Sequence, residues 1–463
     1  MLFLKNSFLL IIVFCYYFLA LFILIKVFLT QDKGEIPPGS LMTEIKPFSA
    51  VFYNKDKIHD LNAVMCPPYD VISEEQQKGY YKLSEKNFIR IMLAQQKATD
   101  TEKDNRYTRS KEIYQKWLED GTLVQDDRPC IYFYRQEYKV LGTRHSRLGF
   151  ISLMRIQDEE GAKVYPHEKT HAAAKEDRFK LWSSLNACLS SIFVCFSDRE
   201  KSVEKVFVNH VSRTTPFMDI VDQDGVRHIV WRLTDDHLIA NIVGALQDQP
   251  VFIADGHHRY EVARQIRNAH ISRGGKKNGN EPYNYLMTYF TNMDSKDLQI
   301  FPMHRIVKKF PDDFSLLDEF FRVDRVKKPE ELVLLTAKAG QNEHAFGLYT
   351  RNGMWLLRLK NKTLIDKMVK EGSTEYKHLD AAILKAFVFD QIGIPSEDIT
   401  YTKDMSDIIR MVDDGEAKAG FVLNPVRMQQ LKNIALNGEK MPPKTTYFYP
   451  KLLSGLTVYR FDS

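Results

Sequence analysis

The stretch VFIADGHHRYEVAR, Val251 to Arg264, constrains this chain more tightly than any other. Val251 to Ala254 is a short, unbroken apolar run, the pattern of a strand buried on both faces. Asp255-Gly256 interrupts it, and HRYEVARQIRNA follows with helical spacing that turns Ala263 and Ile266 inward. A strand that passes through a two-residue turn into a helix leaves the first helical N–H groups unbonded and pointing into the crevice at the strand's end. The positive end of the helix dipole lies behind them. Gly256 lets the backbone make the turn and approach a ligand closely.

The side chains placed there extend the pattern. His257, His258 and Arg259 add up to three donors, one of them permanently charged and able to bind bidentately, a set suited to phosphate. Asp255 would repel that phosphate, so it is expected to cap the helix, orient an imidazole or hold Mg²⁺.

A second stretch, YPHEKTHAAAKEDR, spells His167-Glu168-x-x-His171. On a helix this spacing brings two imidazoles to one Zn²⁺ with the glutamate as base. Pro166 suits the first position of such a helix. Against the metal, Lys169 would put a cation between the ligands, and AAAKEDR supplies neither a glycine turn nor a third histidine. Zinc is therefore not expected, and a zinc hydrolase stays only as an alternative. Glu168, flanked by Lys169 and Arg178, is the candidate general base.

Other clusters point the same way. MHRIV presents His304 and Arg305 on a strand, and CPPYD presents Tyr69 and Asp70 on a loop that two prolines keep from being helical. MPPKTTYFYPK offers Lys444, Thr445 and Thr446 to an anion, with Tyr447 to Tyr449 read as packing. Asp70 or Asp255 is the expected Mg²⁺ ligand.

With 463 residues the chain is long enough for two or three domains and a buried core. A net charge of +5 is small for that length and does not imply a nucleic-acid partner. Five cysteines without a CxxC pair read as free thiols in a reducing compartment. Phe8 to Phe28 is apolar except for Lys26 and long enough to span a bilayer. Either it is a signal anchor in the inner membrane, or residues 1–41 precede a natural start at Met42 and the protein is cytoplasmic. The expected divisions are 1–41, an α+β core over 42–310 and a C-terminal α/β region over 311–463. Within them, Ser73 with Gln76 forms a capping box, and Tyr107 to Leu118 a helix. Residues 130–156 and 217–233 form hairpins, LQIFPMHRIV is a strand, and the last third alternates strand and helix.

CPPYDVIS, NFIRIML, HEKT…KEDR, IADGHHRYE, MHRIV and MPPKTTYFYPKLLSGL together resemble the signature stretches of the family called domain of unknown function 1015, from Met42 to the end. The second histidine of HEKTH and the apolar tail are foreign to that pattern. ADGHHR further resembles the strand–turn–helix element of the ParB/sulfiredoxin-like fold, found in free serine kinases that use ADP. The resemblance implies a mixed α+β protein with a nucleotide-phosphate site at Asp255, Gly256, His257, His258 and Arg259. The function it implies is phosphoryl transfer between ADP, ATP or AMP and a small hydroxyl compound, serine or phosphoserine, as kinase or phosphatase. The alternative is a ParB-like switch that binds nucleotide or DNA without catalysis.

Overall fold

The computed structural model describes residues 43–158, 162–168, 170, 172–275 and 279–462. Met42–Ile156 and Val164–Ser463 form one unit, and Met1–Leu41 with Gln157–Lys163 another. All sheets and site residues belong to the first. Phe8 to Phe28, Lys169 and His171 lie outside the described residues, among which no helix is long and apolar enough to cross a membrane.

Mixed α/β architecture is built on two large sheets. The first has nine strands: β1 (Ile45–Lys46), β2 (Ile131–Val140), β3 (Thr143–Arg155), β4 (Val164–Tyr165), β5 (Ile192–Phe196), β6 (Met218–Val221), β7 (Arg227–Leu233), β8 (Val251–Asp255) and β9 (Tyr285–Asn292). Their order is β4-β8-β5-β9-β3-β2-β7-β6, with β1 also paired to β3. The expected hairpins are β2–β3 and β6–β7. Val251, Phe252 and Ile253 are buried, as an unbroken apolar run requires.

From Gln299 the chain forms β10 (Gln299–Pro302), β11 (His304–Val307), β12 (Phe321–Val326), β13 (Ala345–Thr350), β14 (Gly353–Leu359), β15 (Ile399–Thr402), β16 (Ala419–Val422) and β17 (Thr446–Tyr449). Six of these make the second sheet, in the order β12-β14-β13-β16-β11-β15, while β10 and β17 pair separately. LQIFPMHRIV is therefore two strands rather than one. Proline lacks the N–H that a continuing ladder would need at Pro302, so the chain changes sheets there. After β17 the chain returns to the first sheet's core, where Val458 exchanges hydrogen bonds with Val51.

The helices that matter here are α1 (Glu74–Leu83), α2 (Arg106–Glu119), α3 (Ala172–Leu185), α4 (Asp236–Leu246), α5 (His257–Ser272), α6 (Pro329–Ala339), α7 (Asp380–Leu384), α8 (Met405–Asp413) and α9 (Met428–Leu436). Ser73 caps α1 through the expected box, its hydroxyl accepting from Gln76 N at 3.2 Å while Gln76 Oε1 accepts from Ser73 N at 2.9 Å. Ala263 and Ile266 bury the inner face of α5. A separate apolar cluster, including Ile306, Leu332, Leu356, Ile408 and Val412, holds α6 and α8 on the second sheet.

Candidate functional site

β4 and β8 are adjacent and parallel, so their carboxyl ends lie side by side. That places Pro166 to Glu168, just after β4, beside the turn that follows β8. Pairing of β8 with β5 shifts register between Ile253 and Asp255, an irregularity that re-aims Asp255 out of the ladder. Gly256 then takes φ 92° and ψ 27° as the N-cap of α5. A Cβ there would stand 3.0 Å from both Arg259 Nε and Ile192 Cγ2, so sterics and φ both demand glycine.

Arg259 turns back into the protein. Its Nη2 donates to Asp255 Oδ2 at 3.0 Å, and Nη1 donates to Ser191 O at 2.5 Å and Ser190 Oγ at 3.2 Å. At 3% exposure the guanidinium is a strut between β8, α5 and the approach to β5, not the phosphate clamp its position in the sequence implies. Lys451, which sequence reasoning missed, donates to Asp255 Oδ1 at 3.2 Å. Burial opposes ionisation of Asp255, yet Lys451 and Arg259 outweigh it and hold this carboxyl below its ordinary range.

His257 is 4% exposed, and burial lowers its pKa to about 3, so the ring is neutral at physiological pH. Its Nε2 accepts from His167 N at 3.3 Å, which puts the proton on Nδ1, 3.7 Å from Glu168 Oε2. His257 therefore faces Glu168 rather than offering a cation to phosphate. His167 packs edge-on against it, ring centroids 4.5 Å apart, and burial likewise lowers its pKa to about 3.

His167 and Glu168 are extended, with Glu168 bridging to Met441, and the helix begins only at Ala172. The helix start at Pro166 is thereby overturned, since the described residues His167 and Glu168 are not helical, while His171 lies outside the described residues. The loop from Met441 to Thr446 is fastened to this segment. Met441 N donates to His167 O at 2.7 Å, Lys444 N donates to Glu168 Oε1 at 3.0 Å, and Thr446 Oγ1 lies 3.4 Å from His167 Nε2. Lys444 thus contributes its backbone amide, at φ 52°.

Tyr69 is held under Arg178, whose Cζ stands 4.1 Å from the ring centroid. Burial, then Asp70, push its pKa up to about 12, and the Arg259 and Asp255 charges also act on it. Arg178 is buried and donates to Met92 O at 2.8 Å and, through Nε, to Asp177 Oδ2 at 2.7 Å, so its guanidinium is tied to the protein's own acceptors. Asp70 is exposed and His258 half-buried. Tyr447, read as packing, carries Lys451 Nζ 4.4 Å from its ring centroid. His304 and Arg305 belong to the second sheet: His304 Nδ1 accepts from Leu423 N at 3.2 Å, and Arg305 Nη1 donates to Met303 O at 2.6 Å.

No group of three or more His, Cys, Asp or Glu that could hold a metal occurs among the described residues. Both Asp255 oxygens already accept from cations, which does not suit a resident Mg²⁺.

Residues 45–382 match the family described as "Protein of unknown function (DUF1015)". The chain belongs to the DUF1015 family. No curated protein matches this DUF1015 chain. Solved structures similar to it include a free serine kinase in complex with AMP, at 14% identity and TM-score 0.32, covering 62% of this chain and 83% of that one. A conserved hypothetical protein from Pyrococcus furiosus is similar at 15% identity and TM-score 0.30, with 63% and 89% covered. SbnI with a C-terminal truncation, from Staphylococcus aureus, is similar at 9% identity and TM-score 0.34, with 66% and 85% covered.

Proposed function

We propose that the turn after β8 is a nucleotide-phosphate site at which this DUF1015 protein transfers a phosphoryl group between a nucleotide and a small hydroxyl compound, serine or phosphoserine. The observation that carries the reading is the convergence of one carboxylate, Glu168, on the amino end of α5, with His257 Nδ1 3.7 Å from its Oε2. The ADGHHR element, similar to that of ParB/sulfiredoxin-fold serine kinases, supports the same assignment.

In this reading the amides at the start of α5 receive the phosphate, and Lys451 supplies the charge. Lys451 and Arg259 against Asp255 and Glu168 leave the site without net charge, so that the approach of a phosphate is not opposed by an excess of carboxylates. Glu168 takes the proton from the substrate hydroxyl, whose oxygen attacks phosphorus as the bond to the nucleotide's leaving oxygen breaks. The negative charge released on that oxygen is met by Lys451 and the helix amides. His257 and Lys444 N orient the carboxylate, and Arg259 fixes Asp255 and the turn.

Glu168→Gln keeps the shape and removes the base. The expected result is transfer from ADP or ATP to serine slowed about a hundredfold to ten-thousandfold, with nucleotide still raising the melting temperature. Equal turnover by wild type and Glu168→Gln would remove Glu168 from the mechanism. Nucleotide binding by wild type without turnover on any hydroxyl acceptor would favour the binding switch.

A further inference from the structure

A cavity of about 440 Å³ lies between the second sheet and the helices around it, lined by Arg305, His344, Lys362, His378, Asp380 and Arg427 among others. Its size is that of a small-molecule site. Its charge is not balanced from within. Arg305 is 4% exposed, and among the described residues its side chain hydrogen-bonds through Nη1 to Met303 O, at 2.6 Å. The guanidinium carbon stands 4.5 Å from the Tyr401 ring centroid. No carboxylate pairs with Arg305 among the described residues. Burial pulls its pKa down to about 10, which expresses the same lack of a counter-charge.

The other cations at the cavity are spent on carbonyls. Arg427 Nη2 donates to Gly340 O and Gln341 O at 3.1 and 3.3 Å, at the carboxyl end of α6, and Lys362 Nζ donates to Asn342 O at 2.9 Å. The one lining acid not tied to a cation elsewhere, Asp380, is saturated locally. Its Oδ1 lies 2.8 Å from His344 Nδ1, and its Oδ2 accepts from Asn424 Nδ2 at 3.3 Å. That contact fixes the orientation of the His344 ring. A buried guanidinium with no carboxylate partner among the described residues, in a metabolite-sized cavity lined also by His344, Lys362 and Arg427, is a binding arrangement rather than a packing one.

We infer that this cavity is a second ligand site, separate from the Asp255 turn, and that it takes a small metabolite whose carboxylate or phosphate pairs with Arg305 while a hydroxyl or amine of the same molecule faces His344. Carboxylate and phosphate share the recognition chemistry, and titration separates them. Calorimetry on the full chain would use inorganic phosphate and L-malate as probes, at physiological salt. The inference expects at least one probe to show a binding step, distinct from any phosphate binding at the Asp255 turn, that Arg305→Gln weakens about tenfold or more. Arg427→Ala, on the exposed rim, is expected to weaken it only severalfold while leaving the circular dichroism spectrum unchanged. Glu168→Gln is expected to leave this binding unaltered, which separates its fate from that of the phosphotransferase reading. The inference is overturned if neither probe binds, or if binding survives both Arg305→Gln and Arg427→Ala intact.

Discussion

The Asp255 turn and the Arg305 cavity answer the same electrostatic problem in opposite ways. At the turn, a buried carboxylate is clasped by two cations, and the guanidinium of Arg259 finds an acid, a carbonyl and a hydroxyl within 3.2 Å. In the cavity, an equally buried guanidinium has one carbonyl and the face of an aromatic ring. Compensated charges build rigid geometry around a site, whereas uncompensated ones mark where a ligand completes it. Arg259 is therefore framework and Arg305 a receptor, although each occurs beside histidine in a short motif.

The largest expected effect breaks that symmetry. Asp255→Ala strands Arg259 in the interior and should cost about 3–5 kcal/mol in urea unfolding, whereas Arg305→Met should fall within about 1 kcal/mol of wild type or above it. Comparable losses in the two variants would erase the distinction. Next, Gly256→Ala forces a side chain into φ 92° against Arg259 and Ile192, with an expected cost of about 1–3 kcal/mol. A neutral result would mean that the turn relaxes freely and does not pre-organise the helix amides.

Acid separates the regions by number of protons. His257 and His167 have folded pKa values near 3, and His304 near 4, each lowered by burial from the ordinary 6.5. The folded state excludes protons that the unfolded state accepts, so the neutral rings' contribution is whole above pH 6.5 and drains as pH falls toward 3 or 4. Each histidine contributes about 1.4 kcal/mol per pH unit in that window. His257→Asn should therefore reduce the slope of unfolding free energy between pH 4.5 and 6 by about one proton. An unchanged slope would mean that His257 is protonated in the native protein. The smallest change, Ser190→Ala, removes one of the three bonds to Arg259 and should cost about 1 kcal/mol without altering turnover.

Local signals were readable in the sequence and long-range partnerships were not. VFIADGHHR announced a buried strand, a glycine turn and a helix, because each follows from neighbours in the chain. So did the Ser73–Gln76 box and the β2–β3 hairpin. The pairing of Glu168 with His257 depends on β4 lying parallel to β8, and Lys451 reaches Asp255 across 196 positions, so no spacing rule reveals either. The sequence also concealed what Arg259 does. A charged residue on the first turn of a helix can face the crevice or fold back on an acid, and the choice belongs to the packing of β5. Pro166 misled for the converse reason: a residue that suits the first turn of a helix was met ahead of extended chain, and the helix begins only at Ala172. Arg305, expected beside the Asp255 turn, belongs instead to the second sheet, where Pro302 ends the strand before it.

The central claim is that the amino end of α5 receives a nucleotide's phosphate. Backbone amide shifts of Gly256, His257 and His258, followed by NMR while ADP is titrated into the full chain, test it at the atoms concerned. The account predicts that these three amides move together, saturate, and are displaced in competition with inorganic pyrophosphate. Saturating shifts elsewhere with these three unmoved would contradict it.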